Sequence, residues 1–191
     1  MRTDIILAGV GGQGIVSIAA IIGTAALDSG LFLKQSEVHG MSQRGGDVLS
    51  NLRISDTEIA SDLIPFGKAD MIISIEPLEA LRHLHRLKMD GWLISNTTPY
   101  TNIANYPPID DVIAEIRMIP NHVLIDADTI AKEMEARRST NVIILGAAVS
   151  HLGFDVIVLE KAIERIFDKK GQKVVEQNII ALHKGMDFAK S

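Results

Sequence analysis

A glycine-rich turn near the amino terminus is the strongest candidate in this sequence for a ligand-binding motif. The stretch GVGGQG covers residues 9–14 and follows the apolar run DIILA. Gly9, Gly11 and Gly14 have the G-x-G-x-x-G spacing of dinucleotide-binding turns, where the backbone approaches a pyrophosphate and a helix N-terminus attracts its negative charge. Such a turn can also serve only to pack a strand against a helix. The pattern alone leaves a phosphate-binding turn and a structural turn open.

A second chemical motif, QRGG, ends at Gly46. Arg44 precedes Gly45 and Gly46, and a guanidinium beside two unhindered backbone N–H groups can bind a phosphate or a carboxylate. The alternative is an ordinary loop arginine that pairs with Asp47 or Glu37.

Residues for acid–base, nucleophilic or metal chemistry have no recognisable arrangement in the sequence. Neither a G-x-S-x-G motif nor a G-K-[ST] motif is present. His83 and His85 are two residues apart, which does not put both on one helix face, so their spacing predicts no metal site. The sequence contains no cysteine, which excludes disulfides and cysteine-ligated zinc or iron–sulfur centres from it. We therefore predict no catalytic residue set and no metal site.

The composition is that of a folded aliphatic protein with little attraction for polyanions. The 191 residues are 47% hydrophobic and 23% charged, with a formal net charge of −5. A net negative charge disfavours nucleic-acid binding, and no apolar run reaches the roughly 18 residues of a membrane span. We expect one domain over residues 1–191, located in the cytoplasm, with neither nucleic acid nor membrane as a partner.

The glycine turn must be positioned by a strand before it and a helix after it. Residues 5–10 form a continuous apolar run typical of a strand buried on both faces, and residues 15–27 form a helix of small apolar residues. A second strand is predicted over residues 31–38. The polar, glycine-bearing segment that follows leads into another strand at residues 48–55, where a crossover helix would be expected.

The remaining pattern predicts an α/β fold: a three-layer, mostly parallel, Rossmann-like sheet with helices on both faces and a helical C-terminal end. Buried strands are predicted at 71–75, 92–95 and 123–125, a long loop at 98–108, and helices at 129–137, 141–152, 155–168 and 174–188. Ligands of such sheets bind outside the carboxyl ends of the strands. The polar residues expected at that edge are Gly11–Gly14, His39–Gly46, Glu76, Asn96–Thr98 and Asp126.

Several motifs in order give the sequence a resemblance to a known family. At GVGGQG, EVHGMSQRGG, SDLIP, SIEPLEAL and NTTP, it resembles the gamma-type subunits of 2-oxoacid:ferredoxin oxidoreductases, and among these the small (beta) subunit of the indolepyruvate type in particular. The resemblance extends from residue 1 to about residue 152, and the two terminal helices fit it more weakly. The pairing of G-x-G-G-Q-G with S-Q-R-G-G is far more specific than a lone glycine motif.

The resemblance implies a subunit that is inactive by itself. In that family a 2-oxoacid, here indolepyruvate or another aryl pyruvate, is decarboxylated on thiamine diphosphate, electrons leave through iron–sulfur clusters to ferredoxin, and coenzyme A accepts the acyl group. The resemblance places thiamine diphosphate and the clusters in a large partner subunit, and coenzyme A at the interface between the subunits. It therefore implies that this chain binds no cofactor alone. The implied coenzyme A contacts are Gly11, Gly12, Gln13 and Gly14, with Arg44, Gly45 and Gly46 as a motif at the interdomain face.

Two alternatives remain open at this point. One is a nicotinamide- or flavin-dependent dehydrogenase, in which Glu37 would be the acidic residue that binds the ribose. The RGG loop and the strand after it stand where that fold has a crossover helix, which speaks against it. The other is a purely structural assembly subunit whose glycine turn contacts no ligand.

Overall fold

A six-stranded mixed sheet forms the centre of the computed structural model, which describes residues 1–40, 45–101 and 103–190. The strand order across the sheet is β2-β3-β1-β4-β5-β6. The strands are Arg2–Val10 (β1), Phe32–His39 (β2), Asp47–Ser55 (β3), Ala69–Ser74 (β4), Leu87–Asn96 (β5) and His122–Ile125 (β6).

Five of the six strands in the described residues run in the same direction. Strands β1, β4, β5 and β6 pair in parallel, whereas β3 is antiparallel to both β1 and β2. The reversal of β3 follows from the hairpin that joins it to β2, because a short connection between neighbouring strands requires antiparallel pairing. The prediction of a mostly parallel sheet, with a strand in place of the second crossover helix, is confirmed.

Helices cover both faces of the sheet, as predicted. The helices in the described residues are Ile15–Asp28 (α1), Pro77–Arg82 (α2), Ile109–Arg117 (α3), Ala127–Glu133 (α4), Thr140–Leu152 (α5), Val156–Phe167 (α6) and Gln172–Lys190 (α7). Buried residues of α1, α4, α5, α6 and α7 form one core with Ile5, Leu7 and Ile73 of the strands. Residues of α2 and α3 form the core of the other face with Ile6 and Ile72. Alternate residues of β1 thus enter opposite cores, as a doubly covered strand requires.

Helices α5 and α7 pack so closely that their backbones touch through glycines. A Cβ atom added to Gly146 would lie 2.1 Å from the carbonyl oxygen of Leu182, and one added to Gly185 would lie 1.9 Å from that of Ile143. Only glycine permits such an approach. This contact holds the C-terminal helix over α5, beside the predicted ligand edge.

The structure differs from the predicted elements in three places. Helix α3 was not predicted, because its buried face consists chiefly of Val112 and Ile116 among polar residues. Strand β5 begins at Leu87 rather than residue 92. Helix α4 ends at Glu133 rather than residue 137, because Glu135 adopts a positive φ of 53° and the chain turns there into a short 3₁₀ segment.

No helix within the described residues combines the length and the apolar character needed to cross a bilayer.

Candidate functional site

A pocket of about 1250 Å³ lies at the carboxyl edge of the sheet, on the face covered by α5 and α7. Its lining comes from the glycine turn, from residues just after β4 and at the end of β5, from the segment between α4 and α5, and from α7. The described residues that line it are Gly12, Gln13, Gly14, Ser17, Ile75, Asn96, Thr98, Pro99, Tyr100, Asp128, Lys132, Glu135, Ala136, Arg137, Arg138, Ser139, Thr140, Asn141, Phe167, Lys170, Val174, Gln177 and Asn178.

The glycine turn presents its backbone to this pocket. Gly12 has a φ of +98°, and a Cβ atom there would meet no other atom within 4 Å, so an incoming group can approach the backbone closely. The side chain of Gln13 folds back, and its Oε1 accepts a hydrogen bond from the backbone N–H of Val10 at 2.7 Å. The turn is therefore internally braced. The N–H of Gln13 donates to Val10 and that of Ser17 to Gly14, and the remaining N–H groups at the start of α1 have no partner within the helix.

Gly14 joins the glycine turn to the start of helix α5. It is the N-cap of α1 in a left-handed conformation, with a φ of +91°. Its carbonyl oxygen accepts a hydrogen bond from Nδ2 of Asn141 at 3.1 Å. A Cβ atom on Gly14 would lie 2.6 Å from that nitrogen. Glycine is thus required by both the backbone conformation and the contact with α5.

The described end of the second glycine motif supports the turn. The backbone N–H of Gly11 donates to the carbonyl oxygen of Gly46 at 2.9 Å, so the start of β3 holds the beginning of the turn. Gly11, Gly45 and Gly46 are not among the residues that line the pocket. Arg44 lies outside the described residues. The predicted proximity of the two motifs is therefore observed at Gly11 and Gly46.

Four cationic residues also line the pocket, and none of them was singled out from the sequence. They are Lys132 at the end of α4, Arg137 and Arg138 in the segment before α5, and Lys170 before α7. None of the four forms an ion pair within the part of the chain that the structure describes. The dipeptide RR in a polar segment was the sequence signal that could have indicated Arg137 and Arg138. Only the fold brings them into the same pocket lining as the glycine turn.

Two acidic residues, Asp128 and Glu135, also line the pocket, but the cationic residues outnumber them. Asp128 accepts a hydrogen bond from Nδ2 of Asn96 at 2.7 Å, which fixes the side chain at the end of β5. Oδ1 of Asn96 accepts from the backbone N–H groups of Thr97 and Ala127 at 3.0 and 3.2 Å. Asn96 therefore connects the β5 end to α4. With Glu135 as the other acid, the four cations outnumber the two carboxylates at the pocket.

The edge predicted from the sequence is divided between the two faces of the sheet. Glu76 is buried and does not line the pocket; its carboxylate accepts from the N–H groups of Glu79 and Tyr100 and from the hydroxyl of Tyr106. Burial and this bond to Glu76 raise the pKa of Tyr106. Asp126 instead caps α4 by accepting from the N–H of Thr129 at 3.0 Å. Both carboxylates have structural partners.

The strand order separates Glu37 from the glycine turn. Glu37 lies on β2, and β3 stands between β2 and β1. Its Oε1 pairs with Nε2 of His39 at 2.5 Å. In a dinucleotide-binding sheet the acidic ribose ligand ends the strand directly beside the first one. The topology therefore disfavours the dehydrogenase alternative.

The geometry of the pocket suits an anionic ligand that carries phosphate groups. Helix N–H groups bind phosphate oxygens, and arginine can form two parallel hydrogen bonds with one phosphate. Both kinds of donor belong to the lining of one pocket, so an extended ligand with separated phosphates could contact both.

Comparisons with known proteins agree with this architecture. The family model described as "Pyruvate ferredoxin/flavodoxin oxidoreductase" matches residues 4–188. Indolepyruvate oxidoreductase subunit IorB of Archaeoglobus fulgidus is 35% identical over 99% of this chain and 96% of its own length. The same subunit from Pyrococcus horikoshii is 36% identical over 98% of this chain and 96% of its own.

Solved structures have the same fold. Pyruvate oxidoreductase subunit PORC from Thermotoga maritima superposes with a TM-score of 0.74 and 23% identity, covering 97% of this chain and 96% of that one. The 2-oxoglutarate:ferredoxin oxidoreductase of Magnetococcus marinus, solved with 2-oxoglutarate, coenzyme A and succinyl-CoA bound, has a TM-score of 0.78 and 23% identity. That match covers 99% of this chain and 31% of that chain. The chain belongs to the pyruvate ferredoxin/flavodoxin oxidoreductase family, among the gamma-type subunits of the 2-oxoacid:ferredoxin oxidoreductases.

Proposed function

We propose that this chain is the small subunit of an indolepyruvate or aryl pyruvate:ferredoxin oxidoreductase and that its pocket contacts coenzyme A. The relatives at 35% and 36% identity are named for indolepyruvate, which supports the choice of substrate. The related structure from Magnetococcus marinus is described with coenzyme A bound, which supports the choice of ligand. A large partner subunit would carry thiamine diphosphate and the iron–sulfur clusters, since this chain has no cysteine to ligate a cluster.

The observation that carries the proposal is that the glycine turn and the two arginines, Arg137 and Arg138, line one pocket. Coenzyme A is an extended molecule with a pyrophosphate and a separate phosphate on its ribose. The exposed backbone of Gly12 and the first turn of α1 offer N–H donors for one of these groups. The two arginines offer planar guanidinium groups for the other. Lys132 and Lys170 add positive charge that attracts the ligand.

In this arrangement the chain binds and orients coenzyme A and performs no bond-making step itself. The hydrogen bond from Asn141 to the carbonyl oxygen of Gly14 holds the start of α5 against the glycine turn. Coenzyme A supplies the thiol that accepts the acyl group. The residues of this chain would fix the distant phosphate end so that the thiol reaches the partner subunit's active site. The isolated chain is not expected to oxidise any oxoacid.

Steady-state kinetics of the assembled enzyme test the proposal. Arg137→Gln and Arg138→Gln should each raise the KM for coenzyme A about tenfold to a hundredfold, because one charged hydrogen bond contributes about 1.5–3 kcal/mol. The KM for the oxoacid should change little. Arg117→Gln is the matched control, since this exposed arginine lies on α3, on the other face of the sheet. Gly12→Ala is a weaker test, because its φ of +98° strains any alanine whether or not a ligand binds.

Unchanged coenzyme A dependence in both arginine variants, with normal assembly, would contradict the ligand contact. The purely structural role would then be the better description of this subunit. A dehydrogenase role is not favoured, because neither the strand order nor the position of Glu37 fits a dinucleotide site.

A further inference from the structure

A cluster of three metal-ligand types lies on the opposite face of the sheet from the pocket. Asp47 is the first residue of β3, Glu79 is in α2, and His83 directly follows that helix. One potential ligand atom from each residue lies within 4.8 Å of the other two. Glu79 and His83 are four residues apart along the helical turn, which places both side chains on the same side. The fold then brings Asp47 to them from the neighbouring strand.

Two of these atoms are buried without a hydrogen-bond partner. Within the described part of the chain, neither Oε2 of Glu79 nor Nε2 of His83 has a partner. Glu79 is 6% exposed and His83 is 9% exposed. The other oxygen of Glu79, Oε1, contacts Nε of Arg82 at 3.3 Å. A buried polar atom without a partner is costly, so two such atoms on two members of one cluster are evidence for a ligand there.

The cluster combines an imidazole, which binds metals in its neutral form, with two carboxyl groups whose negative charge a cation would balance.

We propose that Asp47, Glu79 and His83 bind one divalent transition-metal ion of the Zn²⁺ or Mn²⁺ class. An imidazole nitrogen with two carboxylate oxygens suits these ions better than Mg²⁺ or Ca²⁺, which prefer oxygen ligands alone. Zn²⁺ takes such ligands at about 2.0–2.2 Å, so the three side chains must move closer together around the ion, and Asp47 is the exposed one of the three. Water would complete the coordination from the side of Asp47.

The ion would have a structural consequence for the glycine turn. It joins the start of β3 to α2, and the residue before Asp47 is Gly46, whose carbonyl oxygen holds the N–H of Gly11. Fixing Asp47 therefore fixes the strand end that braces the turn. The proposal does not depend on coenzyme A, because it concerns the other face of the sheet and is tested on the chain without its partner.

Calorimetric titration of the untagged, full-length chain, treated with EDTA and then dialysed, tests the site. ZnCl₂ and MnCl₂ are the probes, and MgCl₂ is the comparison. We expect one equivalent of Zn²⁺ to bind saturably and Mg²⁺ to bind at least tenfold more weakly. Asp47→Asn and His83→Gln should each weaken Zn²⁺ binding at least tenfold. The matched controls are Asp62→Asn, an exposed aspartate outside the cluster, and His85→Gln, an exposed histidine near His83.

The outcomes separate this site from adventitious binding at other histidines. Equal losses in the control variants, or unchanged Zn²⁺ binding in Asp47→Asn, would overturn the proposal. If Glu79 and His83 merely share a proton, the wild-type chain will show no stoichiometric Zn²⁺ heat and no broadening of Mn²⁺ resonance signals, and the proposal is wrong. Asp47 is exposed, so its variant keeps the test valid even where His83→Gln fails to fold.

Discussion

Single residues on the central strands carry a buried ion pair that the apolar pattern does not reveal. The guanidinium of Arg53 on β3 contacts both carboxylate oxygens of Asp4 on β1, at 2.8 and 3.0 Å. Nη1 of Arg53 also donates to the carbonyl oxygens of Ser61 and Leu63 at 3.0 and 2.9 Å. The pair therefore ties two strands and the loop after β3 together. Because the pair is buried, removal of one partner leaves the other charge without a counter-charge and shielded from water.

Asp4→Asn should lower the free energy of unfolding by about 3–5 kcal/mol, the usual cost of leaving one charge of a buried pair uncompensated. Urea denaturation with the fluorescence of Trp92, the only tryptophan of the chain, measures this directly. The exposed Asp62→Asn variant should stay within about 0.5 kcal/mol of the wild type. A loss below 1 kcal/mol for Asp4→Asn would show that the pair contributes little.

His151 predicts a pH dependence of stability. Its ring stacks on that of Trp92 with centroids 3.8 Å apart, and burial lowers its pKa below the usual 6.5. Because the folded pKa is below that of the unfolded chain, the unfolded state takes up the proton first as the pH falls. The lowered pKa of His151 therefore leaves the free energy of unfolding unchanged above pH 6.5. As the pH drops below that value, it lowers the free energy of unfolding.

Unfolding free energies at pH 7.5 and pH 5.5 check this prediction. His151→Phe, which keeps a ring beside Trp92, should lose less stability than the wild type between the two values. The exposed His85→Gln variant should lose as much as the wild type. Equal losses for wild type and His151→Phe would assign the pH dependence to other groups.

At the scale of elements, the glycine contact between α5 and α7 decides where the C-terminal helix lies. Gly146→Ala would place a methyl group 2.1 Å from the carbonyl oxygen of Leu182, so the two helices must separate. We expect a loss of about 1–3 kcal/mol, the usual range for overpacking, visible as a lower urea midpoint. Ser150→Ala on the exposed side of α5 is the control. A fully stable Gly146→Ala variant would mean that α7 can shift without cost.

The elements that the sequence predicts best are those whose signals are local. The apolar run of β1, the glycine turn after it and the small apolar residues of α1 were each readable from neighbouring residues. The glycines of α5 and α7 look like helix weaknesses in the sequence. Their purpose depends on a contact between residues about forty positions apart, which no local pattern contains.

The whole molecule explains why only part of the candidate site was foreseeable. Of the four contacts that the family resemblance implies in the turn, Gly12, Gln13 and Gly14 line the pocket and Gly11 does not. Arg137 and Arg138 were missed, because their position in the pocket lining depends on how α4 and α5 pack, which no local pattern contains. The cluster of Asp47, Glu79 and His83 was missed for the same reason: the histidine spacing was uninformative, and the third residue comes from another strand.

The two candidate sites lie on different faces of the sheet. The pocket lies with α5 and α7, the cluster of Asp47, Glu79 and His83 lies with α2, and the start of β3 connects the cluster to the glycine turn. The central claim concerns the pocket. Kinetics test that claim through its consequences, whereas a structure of the assembled enzyme tests the contact itself.

The most direct measurement is therefore a structure of the chain assembled with its large partner subunit in the presence of coenzyme A. We predict phosphate oxygens of coenzyme A within hydrogen-bond distance, about 2.7–3.2 Å, of backbone N–H groups in the Gly12–Gly14 turn and of the guanidinium of Arg137 or Arg138. Coenzyme A bound elsewhere, or this pocket filled by side chains of the partner subunit, would contradict the account.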